Sequence, residues 1–182
     1  MLLFLDEVQC GIGRTGSLFA FEQYGITPDI CSVAKGIGSG FPLGACLATE
    51  HAASGMTMGS HGGTYGGNPL ATAVGNAVLD IVLADDFIQK VTHIGLTLKA
   101  ELQELADTFP RLISEVRGVG LMLGMRVEAS PQDMVVRLRE EGLLTVAASG
   151  DNVIRLVPPL IITEAHVEKA ISILAKTCRE WV

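Results

Sequence analysis

The chain opens on five apolar residues, MLLFL, and the stretch that follows, DEVQCGIGRTG, is polar and glycine-bearing. An apolar run without alternation reads as a strand covered on both faces, and the polar stretch as a loop at its carboxyl end. SLFAFEQYG reads as a short helix, with Ser17 as its N-cap and Gly25 as its stop. A second apolar run, residues 30–34, ends at Lys35; Gly36, Gly38 and Gly40 then make a flexible turn before a strand over residues 43–49. GSHGGTYGGNPLATAVGNAVLDIVLAD passes from a glycine-rich loop into a helix starting near Asn68 or Pro69, since proline is tolerated in a first helical turn.

Beyond this point the period changes. Val91, Ile94, Leu98, Leu102 and Leu105 recur at spacings of three and four, which predicts a helix over about residues 86–108, ended by Phe109 and Pro110. ISEVRGVGLMLGMRVE then reads as strand, turn and strand, SPQDMVVRLREEG as a capped helix, LLTVAA and VIRLVPPL as short strands, and TEAHVEKAISILAKTCREW as a final helix. That succession describes a small α+β unit. The boundary is expected near Pro110, giving one domain over residues 1–110 and a second over residues 111–182, without internal repeats.

Composition narrows the function. A length of 182 residues and a hydrophobic content of 48% are enough for a sizeable core, so disorder is not expected. Thirteen basic against twenty acidic residues give a net charge of -7, and no Lys/Arg cluster with interleaved aromatics could track a phosphate backbone; nucleic acid is not the expected partner. Cys10, Cys31, Cys46 and Cys178 are scattered, with no CxxC pair and no histidine spacing suited to zinc. They are expected to be buried or inert thiols in a reducing compartment, with no metal. No apolar run approaches a membrane span and the first residues lack the basic segment of a signal peptide, so a cytoplasmic location is expected, without a membrane partner. Because MLLFL is strand-like from its first residue, the chain is expected to begin inside a domain.

The candidate chemistry begins with Lys35. Open α/β sheets place their active groups at the carboxyl ends of strands. An amine buried there is deprived of hydration in its charged form and freed to attack a carbonyl; from position alone, a surface lysine in a glycine-rich turn is the commoner reading of Lys35. Asp6 ends an adjacent apolar strand. A fixed carboxylate at that edge could hold a pyridinium nitrogen protonated, or serve as a helix cap or a loop ion-pair partner.

Three stretches, in this order, resemble the core motifs of class III pyridoxal-phosphate aminotransferases: LDEVQCGIGRTG, PDICSVAKGIGSGFPLGA and GTYGGNPLA. IRLVPPLIIT is similar to the family's C-terminal segment, so the resemblance runs along the whole chain. Long motifs in a fixed order are far more specific than a short glycine pattern. The resemblance implies an α/β fold of fold-type I, comprising the later part of the large, mostly parallel-sheet domain and a small C-terminal α+β domain. It implies pyridoxal 5'-phosphate as cofactor, Lys35 as the catalytic Schiff-base lysine, Asp6 as partner of the pyridinium nitrogen, Val8 against one ring face and Gln9 on the 3'-oxygen. Thr64 matches the threonine that reaches the cofactor phosphate of the partner subunit in a homodimer. Arg155 matches the arginine that grips the substrate α-carboxylate, a task suited to a planar bidentate donor. Without the family, Thr64 reads as a helix-entry loop residue with a local hydroxyl bond, and Arg155 as an edge-strand charge or a carboxylate clamp.

The implied partners are a small-molecule amino donor and 2-oxoglutarate. N-acetylornithine is the implied donor and arginine biosynthesis the pathway; ornithine, succinylornithine, 4-aminobutyrate or a diamine are the other donors in the family. Members are roughly twice as long as this chain. Their remaining half carries the turn that holds the cofactor phosphate and the aromatic ring stacked on the pyridine. The 182 residues alone are therefore expected not to transaminate, and a non-catalytic fragment is the reading from another class. KGIGSG lacks the GK[ST] of a nucleotide phosphate loop, His61 reads as an ordinary loop histidine, Arg14 as a local cap or pair, and Glu7 has no assigned role.

Overall fold

Strand β1 (Phe4–Asp6) lies parallel to β2 (Ile30–Val33), and β3 (Ala45–Ala48) flanks β2 on its other side, antiparallel to it. The computed structural model describes residues 1–148 and 150–181. Parallel neighbours require a long return connection. Residues between β1 and β2 supply it, with one 3-10 turn at Ala20–Tyr24. Ser17 is not the cap of that turn: its hydroxyl donates to the Phe19 carbonyl, and Phe19 leads into the turn in an extended conformation. Gly25 ends it in the left-handed region, where a residue without Cβ fits without strain.

Burial in this sheet follows the alternation of β2. Cys31 and Val33 point to a cluster with Ile12 and Val82, supplemented by Phe19, Phe21 and Ile37. Leu2, Leu3 and Phe4 remain exposed, unlike the covered strand that MLLFL predicts, because β1 occupies the sheet edge and the buried cluster forms on β2. After β3, Thr49 caps a four-residue helix α1 (Glu50–Ala53), which the sequence pattern does not show. Helix α2 (Pro69–Val82) starts where Asn68 and Pro69 predict. The Asn68 side chain accepts from the Ala71 N–H at 2.9 Å and donates to the Tyr65 carbonyl at 2.9 Å, tying the glycine-rich loop to the helix it precedes.

Helix α3 (Phe87–Thr108) buries Val91, Ile94, Leu98, Leu102 and Leu105, the stripe that its spacing predicts. A four-stranded antiparallel sheet follows, of β4 (Ile113–Val119), β5 (Met122–Val127), β6 (Val146–Ala147) and β7 (Val153–Leu156) in the order β4-β5-β7-β6. Ser130 caps α4 (Pro131–Glu140), and α5 (Glu164–Trp181) closes the chain. Leu102, Met125, Leu138, Ile154 and Leu174 form the dry centre of this unit. The chain divides into two compact units, Met1–Ile88 and Gln89–Val182, so the division falls in the first turn of α3, whereas Pro110 marks the change from helix to strand. Among the described residues, no helix is long and apolar enough to cross a membrane.

The double bond of Asn68 gives a test of how the Thr64 loop is held. Asn68→Ala is expected to lower stability by about 0.5 to 2 kcal/mol, the usual cost of a lost N-cap. Urea unfolding followed by circular dichroism measures it, and an unchanged midpoint would show that the cap contributes nothing.

Candidate active site

Register fixes the site's first two residues. Asp6 is the Cα partner of Ser32 on the parallel strand β2, and Lys35 comes three residues later. Asp6 therefore ends its strand and Lys35 lies just past the end of the neighbouring parallel strand. Asp6 is exposed, and its Oδ1 accepts the Val8 N–H at 2.9 Å, which orients the carboxylate at the start of the turn holding Val8 and Gln9. Val8 and Gln9 are half-buried.

Lys35 opens the 3-10 turn Lys35–Gly38 and sits at φ +47, in the left-handed region where a residue with a side chain is strained. It is exposed, not buried as a lysine activated by desolvation would be, because the turn projects beyond the end of β2. Its amine has no hydrogen bond or ion pair among the described residues. Ile12, from the DEVQCGIGRTG loop, is a second left-handed residue, at φ +55 and 2% exposed. The two loops touch: a Cβ on Gly36 would lie 3.2 Å from the Ile12 Cβ. The sequence does place an apolar residue between two glycines there, which is the signal for a buried loop residue.

Glu7, assigned no role from sequence, is 3% exposed. Its Oε2 accepts the Ala20 N–H at 3.0 Å and the Cys10 thiol at 3.1 Å, and its Oε1 accepts the Phe21 N–H at 3.0 Å. Burial, reinforced by the bond to Glu7, pushes the Cys10 thiol up to about 12. Folding thus favours its protonated form; that stabilisation is present below the ordinary thiol range and is lost as pH rises through about 12.

Thr64 lies on the exposed loop before α2, beside a turn in which Gly66 N–H donates to Gly63 O at 3.1 Å. His61 is exposed on the same loop. Arg155 belongs to the second unit. It is not an edge-strand charge: β7 is flanked by β5 and β6, with Arg155 opposite Gly124 and Val146. Arg155 and Thr145 line a cavity of 410 Å³ with Leu156, Ile162, His166 and Ile173. The Arg155 Nε and the Thr145 hydroxyl are buried there without a hydrogen-bond partner. Among the described residues, no group of three or more His, Cys, Asp or Glu could hold a metal ion.

Comparison with known proteins gives this geometry a context. The family model described as aminotransferase class-III matches residues 1–178. Acetylornithine aminotransferase of Agrobacterium fabrum is 56% identical over 172 residues, which cover 94% of this chain and 43% of that protein. The crystal structure of acetylornithine aminotransferase from Elizabethkingia anophelis superposes with a TM-score of 0.91 at 36% identity, over 99% of this chain and 46% of that one. Ornithine aminotransferase from Plasmodium yoelii gives a TM-score of 0.93 at 30% identity, over 100% of this chain and 49% of that one. The chain thus spans less than half the length of the relatives it matches.

The four thiols do not share one environment. Cys46 is exposed, not buried, on the outer strand β3, whose four residues are all exposed. Cys31 is raised, by burial first and then by the neighbouring Glu7 charge, and buried Cys178 is pushed up to about 11 by burial. Iodoacetamide at pH 8 is expected to label Cys46 well before Cys10, Cys31 or Cys178. Peptide mapping against time checks the order, and early labelling of Cys10 would contradict the Glu7 bond.

Proposed function

Because the chain belongs to the class III aminotransferase family, we propose that it carries the lysine-bearing part of a cytoplasmic enzyme that moves an amino group from N-acetylornithine to 2-oxoglutarate, with pyridoxal 5'-phosphate as cofactor, in arginine biosynthesis. The observation that carries this reading is an unpartnered Lys35 amine and an oriented Asp6 carboxylate at the ends of two parallel strands. Higher identity to the acetylornithine enzymes than to the ornithine enzyme favours the acetylated donor.

The residues fit the cofactor in their chemistry: an amine without a competing partner, a carboxylate oriented by a backbone N–H, and an amide in the same turn. Lys35 would hold the cofactor covalently through Nζ. Asp6 would keep its ring nitrogen protonated, Val8 would cover one ring face, and Gln9 would bond the 3'-oxygen. When bound, pyridoxal 5'-phosphate supplies an electron sink for charge developing at the donor's Cα. Arg155 would bind the donor's α-carboxylate with its planar guanidinium and so orient the Cα bond to be broken. The Lys35 amine, once free, would take the Cα proton as a general base and deliver it as a general acid to the C4' carbon of the cofactor. The exposed Thr64 loop would reach the cofactor phosphate of a partner subunit in a homodimer, so each site would draw on two chains.

Borohydride reduction of the cofactor-loaded protein, followed by peptide mass mapping, is expected to find the pyridoxyl label on Lys35. A label on Lys90 or Lys99 would sink the assignment.

We propose further that the phosphate cradle and the ring-stacking aromatic lie outside these 182 residues, given the share of its relatives that the chain spans. Loose positioning is costly, since about 1 Å of misplacement lowers rate by about a hundredfold. The chain alone is expected to show no transamination of N-acetylornithine above background in a coupled glutamate assay. A rate like that of a complete family member would overturn this.

A further inference from the structure

We propose that Glu7 is a positioning residue for the cofactor ring, clamping the turn that carries Asp6, Val8 and Gln9. The inference rests on the function proposed above. Asp6 and Glu7 are consecutive at a strand end, where side chains alternate between faces. Asp6 is exposed and Glu7 is buried on the other side. Both Glu7 oxygens accept backbone N–H groups from Ala20 and Phe21, more than a dozen residues away, so the carboxylate ties the end of β1 to the far side of its own loop.

Charge-assisted bonds of this kind are strong, and a buried carboxylate that loses them is left desolvated. The turn in between has no slack. Gly11 N–H donates to the Glu7 carbonyl at 3.0 Å, and a Cβ on Gly11 would lie 2.8 Å from that carbonyl and 3.3 Å from Oε2. The Cys10 thiol lies 3.1 Å from Glu7 Oε2 and 3.4 Å from the Asp6 carbonyl, closing the turn from inside. The Glu7 N–H itself donates to the Ser32 carbonyl at 2.9 Å, so the clamp is anchored on β2, the strand that leads to Lys35. Displacing Glu7 shifts the Asp6 carboxylate at its base and the Gln9 amide at its crest, while Lys35 keeps its place.

Two substitutions in the cofactor-loaded whole protein test this. Glu7→Gln keeps the shape and removes the charge. Ala20→Pro keeps the carboxylate and removes one N–H it accepts; Phe19 before it already has φ -121 and ψ 141, the conformation that a following proline requires. Each variant is expected to lower kcat by at least about tenfold, with the donor KM changed by less than about twofold, as for a group acting in the transition state only. The pH midpoint of the bound cofactor's visible absorption is expected to shift in both. In an Asp6→Asn background, where kcat has already fallen, either substitution is expected to lower it by less than about twofold more, since residues acting through one another are not additive.

Unchanged kcat and absorption midpoint, or full additivity with Asp6→Asn, would overturn the inference while leaving the proposed function in place. Failure of both variants to fold would overturn it too, by making Glu7 a residue of folding alone. An unsubstituted whole protein that binds no cofactor at Lys35 would remove the proposed function, and this inference with it.

Discussion

The parallel pairing of β1 with β2 is the constraint from which the first unit follows. Asp29 and Ile30 donate to the Leu3 carbonyl, the Asp29 side chain accepts the Leu3 N–H at 2.8 Å, and the ladder runs on to the bond between Glu7 N–H and the Ser32 carbonyl. Parallel strands deliver their following loops to the same edge. Had β2 paired antiparallel to β1, as β3 does to β2, the lysine turn would leave from the opposite end of the sheet from Asp6. A lysine and an aspartate far apart in sequence reach the same edge of the sheet only through this register.

Register alone does not aim the side chains, and two kinds of local cost are accepted to do so. One is a carboxylate taken out of water at Glu7, offset by the N–H groups of Ala20 and Phe21. The other is left-handed backbone at residues that have side chains, Ile12 in one loop and Lys35 in the next. Three of the four such residues among those described, Ile12, Lys35 and Ser39, fall in the two loops that meet at Gly36 and Ile12; the fourth, Asp86, precedes α3, and the second unit's sheet is irregular only between Ile113 and Glu115. Departures of this kind are expected to gather where a site is built.

That contrast explains what could be read from the sequence. The α3 stripe, the Asn68–Pro69 helix start and the Ser130 cap were legible because each is a local rule with its own signature. The motifs around Asp6 and Lys35 were legible as a family pattern, and their placement at strand ends followed from two apolar runs. Glu7 was not legible, since its partners come from a connection whose path no periodicity dictates. Neither was the interior position of β7: VIRL reads the same at an edge or between neighbours, and only the pairing with β5 and the two residues of β6 decides it. Leu2, Leu3 and Phe4 are exposed although their run is apolar, because such a run reports a preference for burial and not the presence of a cover.

The backbone at Lys35 sets stability and chemistry against each other. A side chain held at φ +47 costs about 1 to 3 kcal/mol relative to a residue that rests there without strain. The residue that would relieve the cost is glycine, and glycine has no amine. Any pressure toward a more stable chain, in a cell or in a thermostability screen, therefore pulls this position toward a residue without the amine that the proposed reaction would use. Selection that scores folding alone would trade the lysine away, and under the proposed function selection for turnover would retain it.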